Sequence, residues 1–422
     1  MEMECAMELE KYSMGIGDRF GCECAAQLRA LQNAATKGIH IAPVWNKSHR
    51  EHVLARTTPA DTRKASDEAV RTCHWTQNYY VDADHIGMAT VDAFIPCSNF
   101  FTIELSDFIG KPVSGRAAAS FIAAMAQYKG STVIPGMQTP LEIADPMLSD
   151  FAQKYLCAIE EAGKVYRYVA EKKGQDGFIA ELSADEAQTA QTPVELFLLL
   201  AAIAQEGIPV QTIAPKFTGA FLKGVDYVGD PQKFAREFQD DLAVISFAVK
   251  AFDLPHNLKL SIHTGSDKFT LYPIMHRAIQ NVNTGIHLKT AGTTWLEEAI
   301  GIASCGGDGL TLIKEIYQES YARYDELCAP YLAVINITKK DLPLPAQVAS
   351  WSSEEFSSAL RHDPACTGYN PQLRQLMHLG FKVAAEKGDR FYGMVKECKP
   401  AIEENVTRNL YEKHIRPLYL GE

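Results

Sequence analysis

Short apolar runs that end in polar or glycine-containing residues recur along this chain, and a helix-like pattern follows most of them. A short run that is apolar on both faces suits a strand covered on both sides, as in a parallel sheet sheathed by helices. Eight such runs are readable: KYSMGIGD (11–18), IHIAPVWN (39–46), NYYVDAD (78–84), FFTIEL (100–105), VQTIAPKF (210–217), LKLSIHT (258–264), GIHLKT (285–290) and YLAVINIT (331–338). Eight strands alternating with helices favour closure into a (β/α)8 TIM-type barrel, an α/β fold, over an open doubly wound sheet.

Between the fourth and fifth runs the sequence reads as helix, including SGRAAASFIAAMAQ and DFAQKYLCAIEEAGKVYRYVAEKKG, so a helical insertion is expected over about residues 110–207. After the eighth run it reads as helix again, giving a C-terminal helical extension over about residues 340–422. There is no internal repeat and no flexible linker, so residues 1–422 are expected to form one catalytic barrel domain with these helices packed on it.

Composition removes several function classes. With 41 Lys+Arg against 52 Asp+Glu, the net charge is −11, and no basic run with interleaved aromatics could follow a phosphate backbone. Nucleic acid is therefore not an expected partner. An acidic small molecule remains acceptable, because one or two placed Lys or Arg residues suffice to hold a carboxylate. The 10 cysteines are scattered over 422 residues, which fits reduced thiols better than a disulfide scaffold. The N-terminal MEMECAMELEKYSM lacks a cationic start before an apolar block, and the apolar stretch VELFLLLAAIAQ is too short to span a bilayer. A cytoplasmic enzyme without membrane partners, with room for homo-oligomer formation, is the expectation.

In a barrel, chemistry gathers at the C-terminal ends of the strands. Run three ends in VDADHIG, placing Asp82, Asp84 and His85; run six ends in IHTGSDK, placing His263, Ser266, Asp267 and Lys268; run seven contains His287 and Lys289. Three imidazoles from three strands, His85, His263 and His287, can converge on one divalent ion and leave positions open for substrate oxygens. Zn, Mn, Ni or Co would all accept such ligands. Asp84 beside His85 is the candidate acid or base, and Glu104 at the end of run four is a second. Lys216, Lys268 and Lys289 are candidate clamps for a substrate carboxylate, and Asp18, Ser266, Asp267, His362 and His378 are further candidate substrate contacts. GIGDRFG also spells GxGxxxG, but no apolar strand precedes it and the following run ends at Asn46 rather than at an acidic residue. No nicotinamide cofactor is expected.

At VDADHIG, APKFTGAFLKGVDYVGD, IHTGSDKF, GIHLKTAGTTWLE, NPQLRQLMH and EENVTRNLYEKH the chain resembles the tagaturonate epimerase family, and the likeness runs from KYSMGIGDRFG to RPLYLG. The resemblance implies interconversion of D-tagaturonate and D-fructuronate with a divalent metal, and leaves room for 4-epimerisation of fructose and tagatose. Counted from the carboxylate, the inverted carbon is C3 and the ketone is C5, so simple enolisation cannot reach the C3 proton. Retro-aldol cleavage of C3–C4 and re-addition to the other aldehyde face can invert it. A metal-dependent sugar aldolase or isomerase, or a barrel subunit without activity, fits the same histidine pattern.

Overall fold

The computed structural model describes residues 6–290 and 292–422. Eight parallel strands close into a barrel: β1 (Tyr12–Gly17), β2 (Ala42–Ser48), β3 (Tyr80–Ile86), β4 (Phe100–Glu104), β5 (Ile179–Ser183), β6 (Thr212–Ala214), β7 (Lys259–His263) and β8 (Ile286–Thr290). Each pairs with its sequence neighbours, and β1 pairs with β8 to complete the ring. The apolar outward faces of the strands are covered by helices such as Cys24–Ala35, Pro193–Glu206 and Pro231–Ala251. Pro193–Glu206 is apolar nearly all round because helices pack on it from both sides, and its Thr192/Glu195 capping box and left-handed Gly207 fix its two ends.

The barrel is as expected, but one of its strands is not. YLAVINIT forms a 3-10 turn, Ala329–Val334, followed by extended chain outside the sheet. The missing strand is β5, which lies inside the stretch read as a helical insertion. Ahead of β5 that stretch holds two α-helices, Gly115–Met125 and Asp145–Lys173, and a small antiparallel ribbon formed by Gly130–Thr132 and Leu141–Ile143. After it the chain returns to the barrel as FIAELS, whose few apolar residues are swamped in sequence by the long helix before and the apolar helix after.

From Gly307 to Leu420 the chain is mainly helical and packs on the helices Cys24–Ala35, Tyr272–Val282 and Thr293–Ser304. The Tyr419 hydroxyl donates to the Ser13 carbonyl at 2.9 Å, tying the last helical turn to β1.

Candidate active site

Alternate residues of a strand share a face, so each strand contributes to successive layers of the barrel interior. The lowest layer is apolar: Val44, Tyr80, Phe100 and Ile179 pack together, and Leu9 plugs them from below. Two residues further along β3, β4 and β5 stand Asp82, Thr102 and Glu181. The ammonium of Lys289 reaches them from β8. It donates to Asp82 Oδ2, Asp84 Oδ1 and Glu181 Oε1, each at 2.9 Å, and to Thr102 Oγ1 at 2.7 Å. Burial alone would lower the Lys289 pKa, but the three carboxylates hold it well above its ordinary value. Space for this side chain comes from Gly15 on the neighbouring strand, where a Cβ would lie 2.8 Å from Lys289 Cγ and 3.1 Å from its Cα.

Above this charged layer the barrel opens. The β3–β4 register shifts between Ala83 and Ile86, and His85 within that irregularity has φ 51°, a left-handed conformation that costs a non-glycine residue about 1 kcal/mol. The bulge lets Asp84 and its neighbour His85 both serve the interior: His85 Nε2 lies 3.6 Å from Asp84 Oδ1, and His85 Nδ1 lies 2.5 Å from Glu104 Oε2. Asp84 also accepts from Asn46 Nδ2 at 3.2 Å. Burial would raise the Asp84 carboxyl, yet Lys289, with His85 and His263, holds it down to about 2.

His263 stands at the end of β7, with its Nε2 2.9 Å from the fully buried Glu181 Oε1. Glu181 is held ionised, since Lys289 and His263 outweigh the effect of its burial. Nε2 therefore carries the ring proton. Nδ1 makes no hydrogen bond and turns its lone pair to Asp185 Oδ2 at 3.3 Å. Two acceptors facing each other at that distance need a cation between them. In the chain alone a proton serves: burial would lower the His263 pKa, but Asp185 outweighs it and lifts the imidazole to about 9. A divalent ion fits the same place, because His85, Asp185 and His263 present ligand atoms within 4.8 Å of one another. A carboxylate behind a histidine, as Glu181 is here, is the common way to fix a metal-binding tautomer. His85, Glu104 and Glu186 form a second, overlapping group.

His287 belongs to neither group among the described residues. It lies one step below Lys289 in the barrel, with its Nδ1 2.9 Å from Ser13 Oγ and its ring 5.4 Å from that of Phe100. Burial pushes its pKa down to about 3. The lysines also differ from expectation. Lys289 is enclosed by carboxylates, and Lys268 donates to the carbonyls of Leu222, Val225 and Asp267. Lys216 reaches the pocket but donates to the Ala187 carbonyl.

The remaining candidates are structural in their contacts. Asp18 accepts from the backbone N–H groups of Phe20, Gly21 and Glu23 and shapes the loop after β1. Ser266 accepts from Gly224 N at 2.8 Å. Asp267 is fully buried and accepts from Arg374 Nη2 at 2.6 Å, His362 Nδ1 at 2.9 Å and Thr293 Oγ1 at 2.9 Å. His378 is buried without a side-chain hydrogen bond, packed beside Gly224 and Gly292. Glu181, Asp185 and Glu186 were missed because their strand was missed. The signal was FIAELSADE, another short apolar run ending in acidic residues.

A cavity of about 420 Å³ lies over this cluster. Asp185, His263 and Gly265 line one part of it, and Lys216, Lys223 and Tyr331 another. Its size suits a small polar metabolite.

A family model described as tagaturonate epimerase matches residues 3–418. A tagaturonate/fructuronate epimerase of Thermotoga maritima is 26% identical over 325 residues, covering 74% of this chain and 63% of that protein, so the chain spans less than two thirds of that relative's length. The glycerol-complexed fructuronate-tagaturonate epimerase of Cohnella laeviribosi superposes with a TM-score of 0.79 at 22% identity, over 98% of this chain and 82% of that one. The native form of the Cohnella protein gives 0.77, with the same identity and coverage. With the motifs from VDADHIG to RPLYLG lying inside the matched span, and the barrel shared with these structures, the chain belongs to the tagaturonate epimerase family.

Proposed function

We infer that this chain interconverts D-tagaturonate and D-fructuronate, inverting C3 by breaking and re-forming the C3–C4 bond. The observation that carries the reading is the Glu181–His263 pair facing Asp185 and His85 at the mouth of a barrel of this family. The ketone at C5 makes C4 its α-carbon and C3 its β-carbon. Removing the proton of the C3 hydroxyl therefore expels C4 as the carbon of an enediolate and leaves C3 as an aldehyde. Rotation of that aldehyde and re-addition gives the epimer, with atoms and electrons unchanged overall.

A divalent ion on His85, Asp185 and His263 would supply Lewis-acid polarisation of the C5 carbonyl. Asp84 is the group assigned to the C3 hydroxyl proton: it is held ionised, fixed by Lys289 and Asn46, and adjoins His85. Glu104, on the other ring nitrogen of His85, is the second acid or base. Lys289 acts as the positioning residue for Asp84 and Glu181 rather than as a substrate clamp. A neutral ketohexose such as fructose offers the same hydroxyl and carbonyl, so its 4-epimerisation follows as a slower side reaction.

The route never breaks the C3–H bond. Metal-reconstituted protein incubated with tagaturonate in heavy water should form fructuronate without deuterium at C3, and denaturation should release no nicotinamide. Solvent deuterium at C3, or stoichiometric nicotinamide, would sink the carbon–carbon cleavage; accumulation of three-carbon fragments instead of epimer would make the protein an aldolase.

A further inference from the structure

With Lys268 and Lys289 enclosed and Lys216 tied to a carbonyl, the cation that recognises an acidic substrate lies elsewhere. Lys223 lines the same cavity as Asp185 and His263, and its ammonium makes no hydrogen bond or ion pair among the described residues. Its backbone is held from several sides. Lys223 N donates to Val334 O at 2.8 Å, Gly224 N to Ser266 Oγ at 2.8 Å, and Arg374 Nε to Gly224 O at 2.6 Å, while Lys268 grips the carbonyls of Leu222 and Val225. A chain segment pinned this way presents its side chain at low entropic cost.

Among the described residues no carboxylate comes within ion-pair distance of it. Glu51 is paired with Arg19 at 3.2 Å and caps the Ser48 backbone, and Glu186 lies nearest Arg50, at 3.8 Å. Tyr331 stands between two cations, its ring centre 5.4 Å from Lys223 Nζ and 5.3 Å from the Arg50 guanidinium. Burial lowers the Lys223 pKa, and Arg19 and Arg50 add to it against the opposing pull of Glu51 and Glu186. A carboxylate arriving there would relieve that repulsion and gain charge-assisted hydrogen bonds.

We propose that Lys223 is the specificity-determining residue that binds the substrate's carboxylate, with Tyr331 as the wall beside it and Arg50 adding longer-range attraction. The assignment rests on the uronate reading above. It places the C1 end of the substrate at Lys223 and the ketone end at Asp185 and His263, which line the same cavity. The three-carbon acid formed on cleavage would then stay anchored by its carboxylate while its aldehyde turns.

The test compares D-tagaturonate with D-tagatose on the metal-reconstituted protein and its Lys223→Gln, Lys223→Arg and Lys216→Gln variants, reading dissociation constants by calorimetry and kcat/KM by product formation, with thermal melts to confirm folding. Lys223→Gln should lower the uronate-over-ketose binding ratio by about 10- to 100-fold, and Lys223→Arg should restore most of it. Lys216→Gln should change both ligands alike. A binding ratio untouched by Lys223→Gln, or one that collapses in Lys216→Gln instead, overturns the proposal. Selective uronate binding without epimerisation would sink the functional reading but leave Lys223 in place; epimerisation with an unaltered ratio would do the reverse.

Discussion

At the scale of single residues, the proposed centre separates His85, Asp185 and His263, the candidate ligands, from Glu181, which fixes one of them. His85→Ala, Asp185→Ala and His263→Ala should each lose bound metal and activity together, as measured by elemental analysis and turnover. Glu181→Gln should keep all three ligands but release the tautomer of His263, weakening metal by about 10- to 100-fold. His287→Gln is the contrast, since that ring faces Ser13 and Phe100 in the layer below, and full loss of metal in this variant would return it to the ligand set. Asp84→Asn should retain the ion and lose turnover; unchanged kcat would end its acid–base role.

Among elements, β1 and β8 show how backbone spacing sets the site. Gly15 and Lys289 are register partners on adjacent hydrogen-bonded strands, so neither main chain can move apart to admit a methyl group at 2.8 Å from Lys289 Cγ and 3.1 Å from its Cα. Gly15→Ala should therefore cost about 1–3 kcal/mol by overpacking, read from denaturant melts, and displace the ammonium that fixes Asp84 and Glu181. Loss of stability without loss of kcat would mean that Lys289 tolerates the shift. The bulge in β3 is the other local device, because a regular strand would send Asp84 and His85 to opposite faces.

Across the whole molecule, Asp267 joins the barrel to its C-terminal extension. It follows β7, and Arg374 and His362 reach it from helices and loops about a hundred residues later, with His414 Nε2 at 3.4 Å. Burial would raise the Asp267 pKa; Arg374, His362 and His414 outweigh it and hold the carboxyl well below the usual range. A depressed folded-state value means this contribution to stability is fully present above the unfolded-state pKa, near about 4, and fades as the pH falls below it. Asp267→Asn should cost about 3–5 kcal/mol near neutral pH, because it leaves a buried guanidinium without its partner. The gap between variant and parent melting curves should narrow in acid below that point. A constant gap from pH 7 to pH 3 would remove Asp267 from the acid sensitivity of the fold.

The sequence by itself determined the barrel, the family and the acidic cluster around VDADHIG, and it named His85 and His263, two of the three residues proposed to hold a cation. These are local signals, carried by short apolar runs that end in functional residues and by long motifs. What only the tertiary structure decided was direction and partnership. FIAELSADE became a strand because β4 and β6 flank it, and YLAVINIT did not because β1 and β8 had already closed the ring without it. Which histidine stood beside Asp185 depended on strand register, and which lysine stayed unpaired among the described residues depended on carboxylates and carbonyls brought in from distant parts of the chain. Spacing along a sequence names the residues at a strand end, but side-chain contacts follow from pairing across strands, which no single run contains.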